Sequence, residues 1–467
     1  MALRQTARKR PVAAKAYFAP AIVLSEEVNE FNGVPLTVPV LTAAQVKALA
    51  TALQRAQEET LASRPVADLM AVLEEAARRW QNPSWSYRQQ AEEWLPRLTP
   101  YSQPVIAQGL EDTFAQLQRP ALKALLWEEF GDPAVLDRFC PRTTGTGRVR
   151  ALGPRLTTHI LAGNIPGLGV LSLAHALLVK SASLVKSPTA EPLLTALFAR
   201  SLAEVDATLA RCLAVLWWPR ERTDLTRTAC EVAEAVVVTG QDETIAAVRA
   251  LTPVTTRFVG QGHRLSLALV GRDTDWETAV QAVARDIVLF DQQGCLSPAY
   301  VLVEEGGSAR AGDFAQRLSQ ALAAASVEFP RGRSSPEMAM RIQHWRDTAA
   351  LVGATVYAPK ETDWTVVYDP QAAVNVGSLS RFVVVRPLAD LQAAPEALRP
   401  WQGRLQALGW AVSPGRQESL AERLAPLGLS RLCPLGQMQH PPATWHQDGR
   451  SRLRDLVRWV DWEEQTP

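Results

Sequence analysis

The hydrophobic positions of this chain change texture near residue 143. Between about 42 and 138 they recur at helical spacing. Leu69, Val72 and Leu73 share one face, and Thr42 is placed to cap a helix opening at Ala43. Pro96, Pro100, Pro104 and Pro120 break this stretch into several helices. Residues 1–40 read as irregular or hairpin-like. Beyond the turn-rich joint at 143–147, short apolar runs alternate with longer helical patterns. Strands are predicted over 158–161, 183–185, 213–218, 235–238 and 264–270, with helices over 171–178, 191–210, 223–231 and 243–251. A second such stretch follows, with helices over 276–290 and 314–325 and strands over 300–304, 365–368 and 382–385. This alternation predicts an α/β protein built on parallel, doubly wound sheets behind a mostly helical N-terminal region.

Composition narrows the reading. The 467 residues are 47% apolar, enough for two or three domains of about 150 residues each. Forty-nine basic against 48 acidic residues leave a net charge of +1, which argues against a nucleic-acid or anionic-membrane binder. No uncharged apolar run reaches the roughly 18 residues of a membrane span. The basic start, 1–15, lacks the apolar segment of a signal peptide, so a cytoplasmic protein is expected. Five widely spaced cysteines fit neither a disulfide framework nor a zinc cluster, and no metal is expected.

Five stretches carry candidate chemistry. Cys295 follows Gly294 and precedes Pro298, between a predicted helix and a predicted strand. A cysteine on a glycine turn has the access a nucleophile needs; a buried structural cysteine is the alternative. In 159–169 a strand runs into Gly163 and Asn164, with Ile165 and Pro166 following and a helix beyond Gly169. That loop falls at the carboxyl edge of the sheet, where ligands bind, although its glycine spacing is not GxGxxG. Lys186 ends a strand beside Ser187 and Thr189, and suits a phosphate or ribose, or else is a solvated strand-end lysine. Thr239, Gly240 and Gln241 join a strand to a helix whose N-terminus either receives a pyrophosphate or is simply capped. His446 and Asp448 read as exposed-turn residues beside two prolines and a tryptophan, where a catalytic acid or a structural histidine would sit.

In this order and spacing, the motifs resemble the aldehyde dehydrogenase superfamily. More closely they resemble its acyl-CoA reductase branch, the fatty acid reductase type of bacterial bioluminescence. The resemblance spans about 140–467 and is carried by 159–167, 290–298, 433–449 and 459–463. It implies a dinucleotide-binding domain at 143–272 and a catalytic domain at 273–440. A tail at 441–467 would pack on the core or on a partner subunit, and 1–142 forms the helical N-terminal region. Cys295 would be the acyl-accepting nucleophile, and Asn164 with the Cys295 backbone N–H the oxyanion hole. Lys186, Ser187 and Thr189 would meet the adenosine ribose or its 2′-phosphate. Gly163, Ile165, Pro166, Thr239, Gly240 and Gln241 would border the dinucleotide. A dimer or tetramer of identical chains follows from the same resemblance.

Two departures from the superfamily pattern sharpen the expectation. Hydrolytic members carry a water-activating Glu on a strand; the matching stretch here, 267–271, has Ala268 in its place. A thioacyl-enzyme lacking that base persists until hydride or a thiol takes the acyl group. Three residues after Lys186, many NAD-using members place a Glu; here Thr189 tolerates a 2′-phosphate and favours NADPH over NADH. The family's second ribose segment is not recognisable, and 378–382 lies near its place. The expected reaction is reduction of an acyl-CoA, or another acyl thioester, to the aldehyde, with coenzyme A as leaving group. A thiolate at neutral pH is expected to need no partner base, and His446 is the candidate proton donor. The alternatives are an aldehyde dehydrogenase, an acyl-phosphate reductase, a non-catalytic partner subunit and a cysteine protease.

Overall fold

The computed structural model describes residues 14–307, 310–375 and 380–463. A hairpin of Ser25–Phe31 with Val34–Val40 leads into helices Ala43–Ala56, Val66–Trp80, Ser86–Leu98, Gln103–Ala115 and Arg119–Phe130. Thr42 closes a capping box at the first of these. Gln45 N–H donates to Thr42 Oγ1 at 3.3 Å, and Thr42 N–H donates to Gln45 Oε1 at 2.9 Å. Pro104 and Pro120 sit in the first turn of their helices, where a missing N–H costs nothing. Pro96 does not end its helix as expected; it lies in the last turn, and the helix runs on to Leu98.

A five-stranded, all-parallel sheet follows, in the spatial order Arg257–Gln261, Ala235–Thr239, Leu156–Ile160, Ala182–Lys186, Leu213–Leu216. The strand that comes first in sequence lies in the middle, so the strand order reverses beside it. Loops leaving the carboxyl ends of Leu156–Ile160 and Ala235–Thr239 therefore flank a ready-made crevice. Helix Leu168–Leu178 starts at one of these loops and Asp242–Leu251 at the other.

The larger sheet has seven strands, ordered Thr355–Tyr357, Thr365–Tyr368, Phe382–Leu388, Pro298–Glu304, Leu265–Val270, Leu405–Ala411, Arg431–Pro434. All its pairs are parallel except the first. Leu265–Val270, which sequence pattern joined to the first α/β stretch, is a central strand of this second sheet. Strands such as Pro298–Glu304 are buried along their whole length, as parallel strands covered on both faces must be.

Arg458–Trp462 pairs antiparallel with Arg148–Leu152, which also pairs with Cys140–Pro141. The C-terminal segment thus returns to its own chain. The Glu129 carboxylate anchors it by accepting the backbone N–H groups of Arg452 at 2.6 Å and Arg454 at 3.0 Å. Among the described residues no helix is long and apolar enough to cross a membrane, and no group of three or more His, Cys, Asp or Glu side chains is placed to hold a metal.

Candidate active site

Cys295 stands on a loop held in an unfavourable backbone conformation. Phe290, Asp291 and Gln292 all adopt positive φ, at 54°, 48° and 58°. Residues other than glycine rarely enter this region, and each costs about 1–3 kcal/mol unless its surroundings enforce it. Side-chain bonds supply that enforcement. Arg381 donates from Nε to Asp291 Oδ1 at 2.7 Å and from Nη2 to the carbonyls of Val288 and Phe329. Gln292 donates to the Pro298 carbonyl at 2.7 Å and accepts from Phe382 N–H at 2.6 Å. Ser266 Oγ donates to the Cys295 carbonyl at 2.6 Å. At the next residue back, Gly294, an added Cβ would sit 2.9 Å from Ile165 Cδ1, so the Ile165 side chain would have to shift.

A cavity of about 1220 Å3, counting its solvent-open part, joins the two sheets at this point. Cys295, Ile165, Pro166 and Thr239 all line it, so the structure brings together four residues singled out from sequence. Much of the remaining wall is apolar: Leu161, Leu168, Leu171, Phe290, Leu296 and Leu456. The helix Gln103–Ala115 adds Gly109, Asp112 and Thr113 from the N-terminal region, where no motif signalled a site. His159, Ser172, His175, Gln439, Trp445 and Arg452 also reach the cavity and were not foreseen as site residues. His159 is fully buried between Ser172 Oγ at 2.7 Å and Ser183 Oγ at 3.2 Å, and burial lowers its pKa to about 3, which keeps it neutral.

The thiol is not the ready thiolate expected from sequence. Cys295 retains some surface on the cavity, but it packs against Leu296, Ala407, Cys433, Met438 and Trp445. Burial, followed by the charge of Asp448, pushes its pKa up to about 12. At neutral pH the sulfur carries its proton, so its use as a nucleophile needs a proton acceptor.

Asn164 reaches the same loop. Its Nδ2 donates to the Gln293 carbonyl at 3.2 Å, two residues before Cys295, and its own carbonyl accepts from the Tyr101 hydroxyl. Gly163 lets this loop approach the next one, since a Cβ would lie 2.8 Å from Ala190 Cβ. Ala268 is elsewhere. It is fully buried in the middle of the larger sheet, paired with Val301 and Gly409, so the proposed correspondence with a water-activating Glu fails. The preceding strand, Arg257–Gln261, is the one that faces the cavity, through Val259 and Gln261. Among the described lining residues Asp112 is the one carboxylate, and it is engaged by Gln108 at 3.0 Å and His440 at 3.2 Å.

The remaining cofactor candidates stand along the carboxyl edge of the five-stranded sheet, with Thr239 at the cavity wall. Lys186 Nζ lies 5.9 Å from the Trp218 ring centre, and burial lowers its pKa to about 8, partly offset by Glu221. Thr189 is exposed and accepts from Trp217 Nε1 at 3.3 Å. Ser187 is fully buried, with its N–H donating to the Leu216 carbonyl at 2.8 Å. Thr239 Oγ1 accepts from Ala162 N–H at 2.9 Å, tying together the two loops at the strand-order reversal. Gly240 N–H donates to the Gln261 carbonyl at 3.2 Å, and exposed Gln241 precedes the helix Asp242–Leu251. This set fits a dinucleotide: a cation on an indole face, a hydroxyl beside it and two loops at a switch point. Ser378, near the expected second ribose segment, lies outside the described residues. His446 does not line the cavity; it is half-exposed, 4.0 Å from Glu128. Asp448, expected in an exposed turn, is buried instead, with a side chain only 6% exposed.

Comparison with known proteins agrees with this geometry. The described protein "Long-chain acyl-protein thioester reductase" of Aliivibrio fischeri is 25% identical over 398 residues, covering 80% of each chain. "Long-chain acyl-protein thioester reductase 2" of Photobacterium leiognathi is 22% identical over 452 residues, covering 92% of this chain and 88% of that one. Among solved structures, an NAD-dependent benzaldehyde dehydrogenase from Corynebacterium glutamicum superposes with a TM-score of 0.72 at 16% identity, over 97% of this chain and 96% of its own. An NADP-dependent glyceraldehyde-3-phosphate dehydrogenase from Bacillus halodurans C-125, complexed with NADP, superposes with a TM-score of 0.72 at 14% identity, over 94% of this chain and 96% of its own. The fold is therefore that of the aldehyde dehydrogenases. The family model described as "Acyl-CoA reductase (LuxC)" matches residues 61–459, and the chain belongs to that family.

Proposed function

We propose that this protein reduces an acyl thioester to the aldehyde, with Cys295 as the residue that carries the acyl group. The observation behind this reading is the shared cavity. Its wall holds Cys295 next to the loop of Ile165 and Pro166, and beside Thr239 at the strand-order reversal. The Cys295 sulfur attacks the thioester carbonyl, and the donor thiol leaves. Asn164 and the Cys295 N–H stabilise the oxyanion that forms. One such donor is worth about 2.7–4 kcal/mol, or roughly 10²–10³ in rate. The apolar wall limits water around the acyl group, and the one carboxylate among the described lining residues, Asp112, is held through Oδ1 by Gln108 and His440. A nicotinamide cofactor supplies a hydride when bound.

Lys186, Thr189 and Trp218 would hold the adenosine end of the cofactor, and Thr239 and Gly240 would border its phosphates. Thr189 bears no charge to repel a 2′-phosphate, and Lys186 attracts one, so NADPH is the proposed reductant. The donor thiol is read as coenzyme A. The names of the relatives favour a second donor, an acyl-protein thioester, for the same chemistry.

Mass spectrometry after exposure to acyl-CoA without NADPH tests the reading. A mass gain equal to the acyl group, mapped to Cys295 and lost in Cys295→Ala, is expected. Addition of NADPH should then remove the label and release aldehyde. An unlabelled protein with both acyl-CoA and acyl-protein donors would overturn the reading.

A further inference from the structure

We propose that Arg452 and His175 form the subsite for the carboxamide of the nicotinamide cofactor, the guanidinium donating to its oxygen and the imidazole accepting from its NH2. This rests on the reading of the protein as a nicotinamide-dependent reductase. In that reading Lys186 and Thr239 serve the adenosine and phosphate ends, and the ring has no residue of its own.

The five-stranded sheet leads from one end to the other. Lys186 and Thr239 end strands that flank Leu156–Ile160 on either side, so those strands lie about 10 Å apart. Thr239 is also a wall of the cavity that holds Cys295, so a dinucleotide laid from Lys186 past Thr239 would bring its ring into that cavity. Arg452 and His175 line the same cavity from separate elements. Leu168, Leu171, Ser172 and His175 are spaced i, i+3, i+4 and i+7 along one helix face, and all four line it. Arg452 comes from the C-terminal segment, where the Glu129 carboxylate fixes its backbone N–H at 2.6 Å. Its guanidinium stands 5.4 Å from the centre of the Trp445 ring, and Trp445 belongs to the apolar cluster on which Cys295 rests.

Both side chains face the cavity with bonding capacity to spare. Arg452 Nε is buried and makes no hydrogen bond among the described residues. Buried polar atoms left in that state call for an explanation, and a ligand group supplies one. The imidazole of His175 likewise has no hydrogen-bond partner among the described residues. Burial, with the charges of Arg452 and His159 adding to it, lowers its pKa to about 3. The ring is therefore neutral at neutral pH, and one of its nitrogens is a bare acceptor. Burial lowers the Arg452 pKa to about 10 against the pull of Glu129, so the guanidinium keeps its charge. Of the groups the proposed reaction brings here, a fatty acyl chain offers neither donor nor acceptor, and phosphates offer acceptors alone. A primary carboxamide offers both, matching a donor beside an acceptor. By gripping it, the two residues would fix the rotation of the ring, and so the ring face turned to the acyl group on Cys295.

Asp112 also lines the cavity with a buried, unpartnered Oδ2, but it belongs to the other end. Its neighbour Thr113 packs against Gly167, where the helix Leu168–Leu178 begins. His175 lies eight residues further on, about 12 Å along the helix axis, beyond the reach of one carboxamide.

Calorimetric titration of the full-length protein tests the subsite without turnover. The ligands are NADPH and reduced 3-acetylpyridine adenine dinucleotide phosphate, which keeps the acceptor oxygen and carries a methyl group in place of the NH2. The wild type should bind NADPH roughly 3–10-fold tighter than the analogue. His175→Phe should bring that ratio close to one, and His175→Gln, whose side-chain carbonyl accepts a hydrogen bond, should restore part of it. Arg452→Met should weaken both ligands by roughly 10–100-fold. Asp112→Asn should keep the wild-type ratio. A wild-type ratio of one overturns the proposal, as does a ratio unchanged in His175→Phe, which is what a purely structural role would give. Wild-type affinities in Arg452→Met, or a ratio lost in Asp112→Asn, overturn it too. If Arg452→Met does not fold, the two His175 variants decide alone. If only NADH binds, the same ratio is read with its own 3-acetylpyridine analogue. A wild type that binds neither NADPH nor NADH overturns the underlying nicotinamide reading as well.

Discussion

Arg381 and Asp291, the latter four residues before Cys295, form a buried ion pair 2.7 Å apart with side chains 0% and 4% exposed. Asp291 is the central residue of the positive-φ run, so the pair pins the strained segment that leads into Cys295, the proposed nucleophile. Removing one partner leaves an uncompensated buried charge, which costs about 3–5 kcal/mol. Arg381→Met should therefore lower stability by about that much in urea unfolding, and folded protein should acylate slowly at Cys295. The double change Arg381→Met with Asp291→Asn should recover stability without recovering acylation, because the backbone strain is then released.

Asn164→Ala removes an amide without disturbing a packed core. Its expected signature is a drop of roughly 10²–10³ in kcat with little change in Tm, as for other lost oxyanion donors. Rapid-quench measurement of Cys295 acylation checks it; an unchanged rate would assign Asn164 to the support of the Gln293 carbonyl alone.

If Lys186 holds the cofactor as proposed, cofactor affinity should depend on pH. Burial holds its pKa at about 8, so the ammonium is present below that value and is lost as the pH rises through it. NADPH affinity, read by fluorescence titration, should weaken above about pH 8. NADH, which lacks the 2′-phosphate, should show a smaller change. Lys186→Met should bind NADPH weakly at every pH, with the dependence flattened.

Glu304 sets part of the acid limit of stability. Burial raises its pKa, but Arg416 at 2.5 Å and the N–H groups of Arg272 and Leu391 outweigh it, leaving about 2. A depressed carboxylate stabilises the fold above its unfolded value, about 4.5, and that contribution disappears as pH falls through the folded value. The contribution is on the order of 3 kcal/mol at about 1.4 kcal/mol per unit. Urea unfolding of Glu304→Gln should show lower stability at neutral pH and a flatter decline toward pH 2.

Several features were legible in the amino acids themselves because they depend on local physics. The alternation of apolar runs with 3.6-residue patterns located the helix Thr223–Glu231 and the strand Thr365–Tyr368 to the residue. The Thr42 cap and the glycine turn before Cys295 are properties of a few neighbouring residues. Periodicity carries no record of partners, and so Leu265–Val270 read as a continuation of the first sheet although its hydrogen bonds run to Pro298–Glu304 and Leu405–Ala411. Tertiary structure alone decided that Ala268 is core, that Asp448 is buried while His446 is not, and that Gly109, Asp112 and Thr113 of a distant helix border the cavity. It also decided the state of the sulfur. The residue type and its turn announce a nucleophile, but its proton affinity depends on the solvent excluded and the charges gathered around it, and those come from residues as remote as Ala407 and Asp448.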